Sequence, residues 1–419
     1  RRDPLWGAKF SDARFKRPSI DPKPKRLCCD DGGIPDHCPP NHTRAGKYHH
    51  SAICAECYHF APFTTAQSDH SQHQQYHYIG ESVIGRYTTT CAITSQRTTT
   101  RYYSTTDATS DTIFKMNTYM LSFRAMGCAI TIQLQTGEDG MAIMAQIPQQ
   151  VEDIEAQLSR FRPQSDLMRL NGQAGQWVAV SDLLFEIIAI AKHTARLTNG
   201  HYNPLVLPAM IASGYDRSFD QLVPQPLLSA PKIADWREIL LRASSHEVRL
   251  PAGSAIDLGG IAKGWMATRI ADQLALHGAC LVNFGGDMVA RGASDWDIAI
   301  HDPHTNQLFT TLMLANTSIV TSGTDYRHWQ SATGDNLHHI INPMTGKPAI
   351  TDVISATVIH PNACHAEAYA KAVIIMGARA GLLWLASQWD AHGIVICADG
   401  SILGTPNFSS LPQYKGAIS

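Results

Sequence analysis

The chain has 419 residues and nearly balanced charge, with 34 lysines and arginines against 36 aspartates and glutamates. This length suffices for two or three domains, and the charge balance gives no electrostatic case for binding nucleic acid or an acidic membrane surface. Because no apolar run reaches membrane-spanning length and nothing resembles an export signal, we expect a cytoplasmic protein without a membrane-spanning segment.

The first 115 residues differ in composition from the rest. They are rich in Thr, His, Tyr, Ser and Arg, contain six of the ten cysteines, and show no helical or strand periodicity. We expect residues 1–115 to be a disordered or non-native extension, with Met116 as the natural start. One cysteine pair is spaced C-x-x-C, but another pair is adjacent, which is not typical of zinc ligands. The alternative is a zinc knuckle, with candidate ligands His37, Cys38, Cys54, Cys57 and His59.

From Met116 onward the pattern is that of a folded domain. The predicted elements are a strand or hairpin over 121–134, a helix over 141–161, a helix capped by Ser181 or Asp182 and stopped by Gly200, a helix over 260–277, strands over 279–284, 296–300, 308–319 and 354–360, helices over 364–376 and 378–389, and a hairpin over 393–403. Strands and helices alternate too irregularly for a doubly wound sheet. We therefore expect an α+β fold with helices packed on mixed or antiparallel sheets.

The run D-L-G-G-I-A-K-G at 257–264 indicates a phosphate-binding turn. Its small residues let the backbone approach an anion, the following helix supplies unpaired N–H groups, and Lys263 adds an ammonium. These features favour a nucleotide-type ligand. The alternative is a tight strand-to-helix turn without a ligand.

Other motifs follow in order along the same chain. They are M-G at 126–127, S-R-F at 159–161, G-H-Y-N-P at 200–204, V-N-F-G-G-D at 282–287, T-S-G-T-D-Y at 321–326, H-H-I-I-N-P-M-T-G-K-P at 338–348 and A-E-A-Y-A-K-A-V-I-I-M-G at 366–377. Together they resemble the ApbE family of FAD:protein FMN transferases. The resemblance implies a T-fold-related α+β domain over 116–419. It also implies an enzyme that transfers the FMN moiety of FAD to a threonine of an acceptor protein, releasing AMP.

By this resemblance, eight residues are expected to contact FAD. They are Met126, Phe161, His201, Tyr202, Asn203, Asp257, Lys263 and Ile341. An aromatic ring at Phe161 or Tyr202 can stack on a flat ring system, although each is also typical of an ordinary core. The family commonly has an aspartate where this chain has Asn203, so hydrogen bonding is retained there and the charge is lost.

His339 is the predicted general base. Imidazole has an unperturbed pKa near 6.5, so its neutral form is available at pH 7 to accept the threonine proton. The residue stands where the family motif H-I-I-D-P-x-T-G places a histidine. His338 cannot share the same face of a strand and is expected to be a surface histidine. The usual aspartate of this motif is replaced by Asn342.

The predicted metal site departs most from the family. The common motif A-D-A-L-A-T-A offers Asp and Thr oxygens to Mg²⁺, whereas this chain has Glu367 and Lys371 at those positions. One interpretation is Mg²⁺ bound by Glu367, the Gly260 and Ala370 carbonyls and the FAD phosphates. Another is Lys371 replacing part of the metal charge, because a protonated lysine is not a ligand. A third is a helix salt bridge between residues i and i+4.

Three functions are compatible with the sequence. The first is the flavin transferase, for which we expect FAD as substrate, Mg²⁺ as cofactor and a threonine-bearing acceptor protein as partner. The second is an FAD pyrophosphatase that releases FMN and AMP. The third is a non-catalytic FAD-binding protein, which the altered metal site would permit.

Overall fold

The computed structural model describes residues 116–406 and Phe408, together with the backbone of Arg101–Thr105. Within these residues the strands are β1 (Arg101–Thr105), β2 (Asn117–Ala125), β3 (Cys128–Thr136), β4 (Val178–Ala179), β5 (Leu240–Arg242), β6 (Glu247–Arg249), β7 (Ala279–Phe284), β8 (Asp287–Arg291), β9 (Trp296–His301), β10 (Leu308–Leu314), β11 (Ser318–Gly323), β12 (His328–Gln330), β13 (Asn336–His338), β14 (Ile341–Asn342), β15 (Lys347–Pro348), β16 (Val353–His360), β17 (His392–Cys397) and β18 (Ile402–Gly404).

The helices alternate irregularly with these strands. They are α1 (Gly140–Met144), α2 (Ile147–Leu158), α3 (Asp166–Asn171), α4 (Asp182–Leu197), α5 (Leu207–Ala212), α6 (Ala262–Leu274), α7 (Ala363–Met376) and α8 (Ala378–Leu385), with short 3₁₀ turns at Pro204–Val206, Phe219–Gln221 and Trp236–Glu238. In the described part of the chain, no helix has the length and apolar content needed to cross a membrane.

The largest sheet is antiparallel throughout. In the described residues it contains nine strands in the order β1-β2-β3-β7-β8-β11-β16-β17-β18. The remaining strands form small antiparallel sheets, β9 with β10, β12 with β13, β14 with β15, and β4-β6-β5. The predicted α+β architecture is confirmed.

The two faces of this sheet are covered differently. Along β7, Cys280 and Val282 belong to the hydrophobic cluster that contains α6, whereas Leu281 packs with the apolar side chains of β9 and β10. This alternation follows from the two-residue period of a strand. Helix α6 packs on β7 and β8, α7 on β11 and β16, and α8 on β17. The three helices thus cover one face, and the β9–β10 hairpin covers the other.

Helices α6 and α7 approach each other closely at their N-terminal ends. A Cβ on Gly264 would lie 2.9 Å from the carbonyl oxygen of Ala363, so a larger residue at 264 would push the two helices apart. This contact brings Lys263 of α6 next to Glu367 of α7.

Several predicted elements are confirmed. The hairpin over 121–134 is β2 and β3, the strand over 279–284 is β7, and the final hairpin is β17 and β18. Ser181 caps α4, because its side chain accepts a hydrogen bond from the Leu184 amide at 3.3 Å. The apolar face of α4 is fully buried and consists of Leu184, Ile187, Ile188, Ala191 and Ala195.

Other predictions are corrected. The helix over 141–161 is two helices, α1 and α2, and ends at Leu158. Pro148 explains the break, because proline lacks the amide that would continue α1 yet suits the first turn of a new helix. The strand over 308–319 is likewise two strands, separated by Asn316 with a φ of 48°. Helix α3 and strand β8 were not predicted.

A strand also lies before the predicted boundary at Met116. Arg101–Thr105 pairs antiparallel with β2, from Arg101 opposite Ser122 to Thr105 opposite Thr118. Sequence periodicity did not indicate this strand. The rest of the predicted extension, including the candidate zinc ligands, lies outside the described residues.

Candidate functional site

A cavity of about 320 Å³ opens where the hairpin turn after β2, the end of α2, the N-terminus of α6 and α7 come together. Eleven of the predicted site residues line it, namely Met126, Phe161, His201, Tyr202, Asn203, Asp257, Gly260, Lys263, His339, Ile341 and Lys371. All eight predicted FAD contacts and the predicted base therefore share one cavity. The other two predicted residues, Glu367 and Ala370, lie behind the wall in α7 and are fully buried.

The first wall is the turn between β2 and β3. Met126 and Gly127 have φ values of 51° and 67°, the pattern of a two-residue type I′ hairpin turn. The Met126 amide donates to the Glu155 carboxylate of α2 at 2.7 Å, which fixes the turn against the helix. Arg327 reaches the same turn and donates to the Gly127 carbonyl at 3.1 Å.

Arg160 organises the second wall. Its Nε lies 3.0 Å from Asp257 Oδ2, with both side chains largely buried, and its Nη1 donates to the Tyr215 carbonyl at 2.9 Å. The guanidinium carbon lies 4.1 Å from the Phe161 ring centroid and 4.4 Å from that of Tyr215. Phe161 remains 41% exposed, so one ring face is available to a flat ligand.

Asp257, a predicted FAD contact, lines the cavity. It does not cap α6, whose cap position is Ile261 without a side-chain hydrogen bond. Besides Arg160, its carboxylate accepts the Gly259 amide at 2.9 Å. Asp257 therefore shapes the turn and holds Arg160 in place.

The segment His201–Asn203 forms a third wall. Asn203 is used by the protein itself, because its Oδ1 accepts the Leu205 amide at 3.0 Å and its Nδ2 donates to the Ala234 carbonyl at 3.0 Å. Tyr202 is 6% exposed, and burial raises the pKa of its hydroxyl well above the usual value. Burial lowers the pKa of His201.

The N-terminus of α6 corrects the predicted anion cradle. The amides of Ile261 and Ala262 donate to the Leu258 carbonyl at 3.1 and 2.9 Å, and the Gly264 amide donates to Glu367 Oε2 at 3.3 Å. The sequence predicted that these N–H groups would be unpaired, but each of them already donates a hydrogen bond within the protein. Lys263 and Lys371, which line the cavity, supply side-chain charge beside this N-terminus.

That charge lies in a buried group of four residues, Lys263, Asp287, Glu367 and Lys371, here called the lysine–carboxylate cluster. Lys263 pairs with Asp287 and lies 3.2 Å from Glu367 Oε1, and Lys371 Nζ lies 3.2 Å from the same Oε1. Glu367 is 0% exposed and Asp287 1% exposed. Lys263 is thus paired with two buried carboxylates and is not a solvated surface lysine.

The pKa values of the cluster follow from burial and pairing. Burial lowers the pKa of Lys263, but the neighbouring Asp287 and Glu367 outweigh it, and the pKa lies above its usual value. Burial raises the pKa of Glu367, but Lys263 and Lys371 outweigh it, and the pKa is lowered. Burial raises the pKa of Asp287 to about 6 against the attraction of Lys263. Glu367, which has two ammonium partners, is therefore the carboxylate that holds its charge more firmly.

His339 lines the cavity with a strongly shifted pKa. Burial lowers its pKa well below the usual value, and the positive charges of Arg327 and Lys371 lower it further. The imidazole is therefore neutral at pH 7, as a general base requires. His338 corrects the sequence analysis, because it is half-buried rather than on the surface. Its Nε2 bonds to the Ala349 carbonyl at 2.8 Å.

Four buried polar atoms around the cavity have no hydrogen-bond partner among the described residues. They are Arg160 Nη2, His201 Nδ1, Tyr202 Oη and His339 Nδ1. An unpartnered buried polar atom costs about 1–3 kcal/mol, so such atoms are usually satisfied by a ligand or water. All four belong to residues that line this cavity, which favours a polar ligand there.

Sequence reasoning assigned no role to Arg160, Arg327 or Asp287, although each lies within a quoted motif or next to one. An acidic residue directly after Gly285–Gly286 and before a buried strand was the available signal for Asp287, since a buried carboxylate requires a partner. Arg160 carried no signal, because its partner Asp257 is distant in sequence.

Comparisons with known proteins agree with this geometry. Residues 126–395 match the model of the ApbE family. An FAD:protein FMN transferase from Treponema pallidum is 35% identical over 251 residues, which are 53% of this chain and 68% of that protein. One from Klebsiella pneumoniae is 27% identical over 293 residues, 68% of this chain and 91% of that protein. The crystal structure of an ApbE protein from Thermotoga maritima superposes with a TM-score of 0.65 at 24% identity, over 71% of this chain and 99% of that one.

Proposed function

Because this chain belongs to the ApbE family, we propose that it is an FAD:protein FMN transferase, which moves the FMN moiety of FAD to a threonine of an acceptor protein. The observation that carries the proposal is the convergence of four unpartnered polar atoms and two lysines on the cavity between Phe161 and His339. FAD matches this mixture, because it combines flat rings with a pyrophosphate.

The lining of the cavity suits both parts of this ligand. Phe161 and Tyr215 line the cavity with the Arg160 guanidinium over both rings, and the exposed ring of Phe161 can stack on a flat ring system. Lys263 and Lys371 also line the cavity and supply positive charge, and the charge of Lys371 acts on His339. The phosphates would bind there, because phosphoryl transfer requires neutralisation of their charge.

In the proposed reaction, Oγ of the acceptor threonine forms a bond to the phosphorus of the FMN phosphate. The bond from that phosphorus to the bridging oxygen of the pyrophosphate breaks, and AMP leaves with this oxygen. His339 accepts the hydroxyl proton, which its neutral imidazole can do at pH 7. Lys263 and Lys371 stabilise the negative charge on the phosphate oxygens.

The predicted Mg²⁺ ligands do not fit a metal cage in this chain. The Gly260 carbonyl and the Glu367 carboxylate both contact Lys371 Nζ, and Ala370 does not line the cavity. Among the described residues, no group of three or more His, Cys, Asp or Glu side chains could hold a metal ion. No step of the proposed reaction therefore passes through Mg²⁺.

The test is to incubate the purified chain with FAD and a threonine-bearing acceptor protein. We expect covalent flavin fluorescence on the acceptor in a denaturing gel and one AMP released for each flavin attached. A matched acceptor with the threonine changed to alanine should stay unlabelled. Release of FMN and AMP without labelling would identify a pyrophosphatase, and FAD binding without turnover would identify a binding protein. Either result would refute the transferase.

A further inference from the structure

The Lys371 ammonium is surrounded by oxygen atoms of the kind that would bind a small cation. Its Nζ lies 3.4 Å from the Gly260 carbonyl oxygen, 3.4 Å from the Glu367 carbonyl oxygen and 3.2 Å from Glu367 Oε1. A lysine ammonium has three donors and no acceptor, so three oxygens are the complement that it requires. The side chain is only 16% exposed and lines the cavity.

Two of these oxygens, the Gly260 carbonyl oxygen and a Glu367 carboxylate oxygen, were expected to bind Mg²⁺ from the sequence. A divalent ion would require oxygen ligands at about 2.0–2.1 Å in near-octahedral geometry. The ammonium of Lys371 already contacts these oxygens, and it would repel a second cation placed among them. Lys263 adds another ammonium at 3.2 Å from Glu367 Oε1.

We propose that the Lys371 ammonium is a built-in cation that replaces the divalent metal of the FAD site, so that this chain binds FAD and transfers FMN without a metal ion. This inference rests on the proposed function. The compact charge of a lysine suits this role, and its four-carbon stem ties it to α7. Glu367 positions the ammonium, since it lies one helical turn before Lys371 and is itself fixed by the Gly264 amide.

The first experiment measures FAD affinity of the metal-free chain by calorimetry, in excess chelator and in millimolar Mg²⁺. We expect the two dissociation constants to agree within about twofold, and FMN transfer to proceed in chelator. If the wild-type chain binds FAD or transfers FMN only with Mg²⁺, the inference of a built-in cation is refuted and the proposed function is not. A chain that binds no FAD in either buffer overturns both this inference and the proposed function.

The second experiment uses Lys371→Thr, which removes the ammonium and places a hydroxyl beside the vacated oxygens. In chelator we expect its FAD affinity to fall at least tenfold, and in Mg²⁺ we expect most of this loss to be recovered. Lys232→Thr is the matched control, because Lys232 is exposed and does not line the cavity; its affinity should equal that of the wild type. Thermal unfolding of both variants checks that they are folded.

An Lys371→Thr variant whose affinity stays unchanged in chelator would show that the ammonium contributes nothing to FAD binding. The inference would then be refuted, whatever the result with Mg²⁺. Because the wild-type measurement needs no substitution, the inference can also be refuted if the variant does not fold.

Discussion

Helix α7 contributes to two clusters of ionisable side chains that are withdrawn from water. The side chains of one cluster are charged, and those of the other are neutral. In the lysine–carboxylate cluster, Glu367 keeps its charge because two ammonium groups contact it. In a second group, here called the histidine cluster, His365 lies among His193 and His360, with ring centroids 5.8 and 5.1 Å away. Burial, together with these like neighbours, lowers the pKa of His365 to about 4.

This difference shows that burial does not by itself decide whether a group is charged. Opposite charges retain ionisation in the interior, whereas groups of the same kind lose it. The charged cluster lines the cavity through Lys263 and Lys371, while the three histidines do not line it. His339 combines both features, because it is neutral like the histidine cluster yet lies in the cavity beside the lysines.

The largest effect is expected at His339. His339→Ala should lower the rate of FMN transfer about 10²- to 10⁴-fold, the usual contribution of a general base, while FAD affinity changes by about twofold or less. Single-turnover kinetics and calorimetry measure the two quantities separately. His338→Ala is the neighbouring control and should retain transfer, since His338 faces the Ala349 carbonyl. A fully active His339→Ala variant would remove the proposed role.

The next largest effect is expected when the lysine–carboxylate cluster loses one of its charges. Lys263→Met leaves Asp287 buried without its partner, so we expect a loss of about 3–5 kcal/mol in the free energy of unfolding. It should also erase most of the preference for FAD over riboflavin, because riboflavin has no phosphates.

The matched control is the double variant Lys263→Met with Asp287→Asn, which removes both charges of the pair. Its free energy of unfolding should return towards the wild-type value, while its FAD preference stays lost. Denaturant titration and calorimetry give the two results. Equal affinities of the wild type for FAD and riboflavin would contradict the phosphate-binding role of this cluster.

The structure also shows which features the sequence could predict and which it could not. Local signals sufficed for α4, with its Ser181 cap, and for the β2–β3 hairpin, because caps and turns depend on neighbouring residues. The family motifs identified the residues that line the cavity. They did not reveal that Glu367 would bind Lys263, 104 residues away, and accept the Gly264 amide of α6. Such pairings depend on how distant elements pack and leave no local pattern.

A smaller effect concerns the pH dependence of transfer. Because the pKa of His339 lies well below its usual value, the base stays neutral as the pH falls to 6.5. Turnover at saturating FAD should therefore stay level between pH 7.5 and about 6.5, and its acid limb should lie lower. Arg327→Gln removes a charge that lowers this pKa, and so should move the limb to higher pH. An acid limb at or above pH 6.5 in the wild type would contradict a neutral, buried base.

The smallest effect concerns the stability contribution of the histidine cluster. His365 is neutral in the folded chain down to about pH 4, but in the unfolded chain it takes up a proton near its usual pKa of about 6.5. The unfolded state therefore binds more protons in this window, and the free energy of unfolding should fall with pH by up to about 1.4 kcal/mol for each unit between 6.5 and 4. His365→Gln removes this contribution, so denaturant titrations at pH 7 and pH 5 should show a shallower loss in the variant than in the wild type. Equal losses would mean that His365 is already protonated in the folded chain, and that its neighbours His193 and His360 do not keep it neutral.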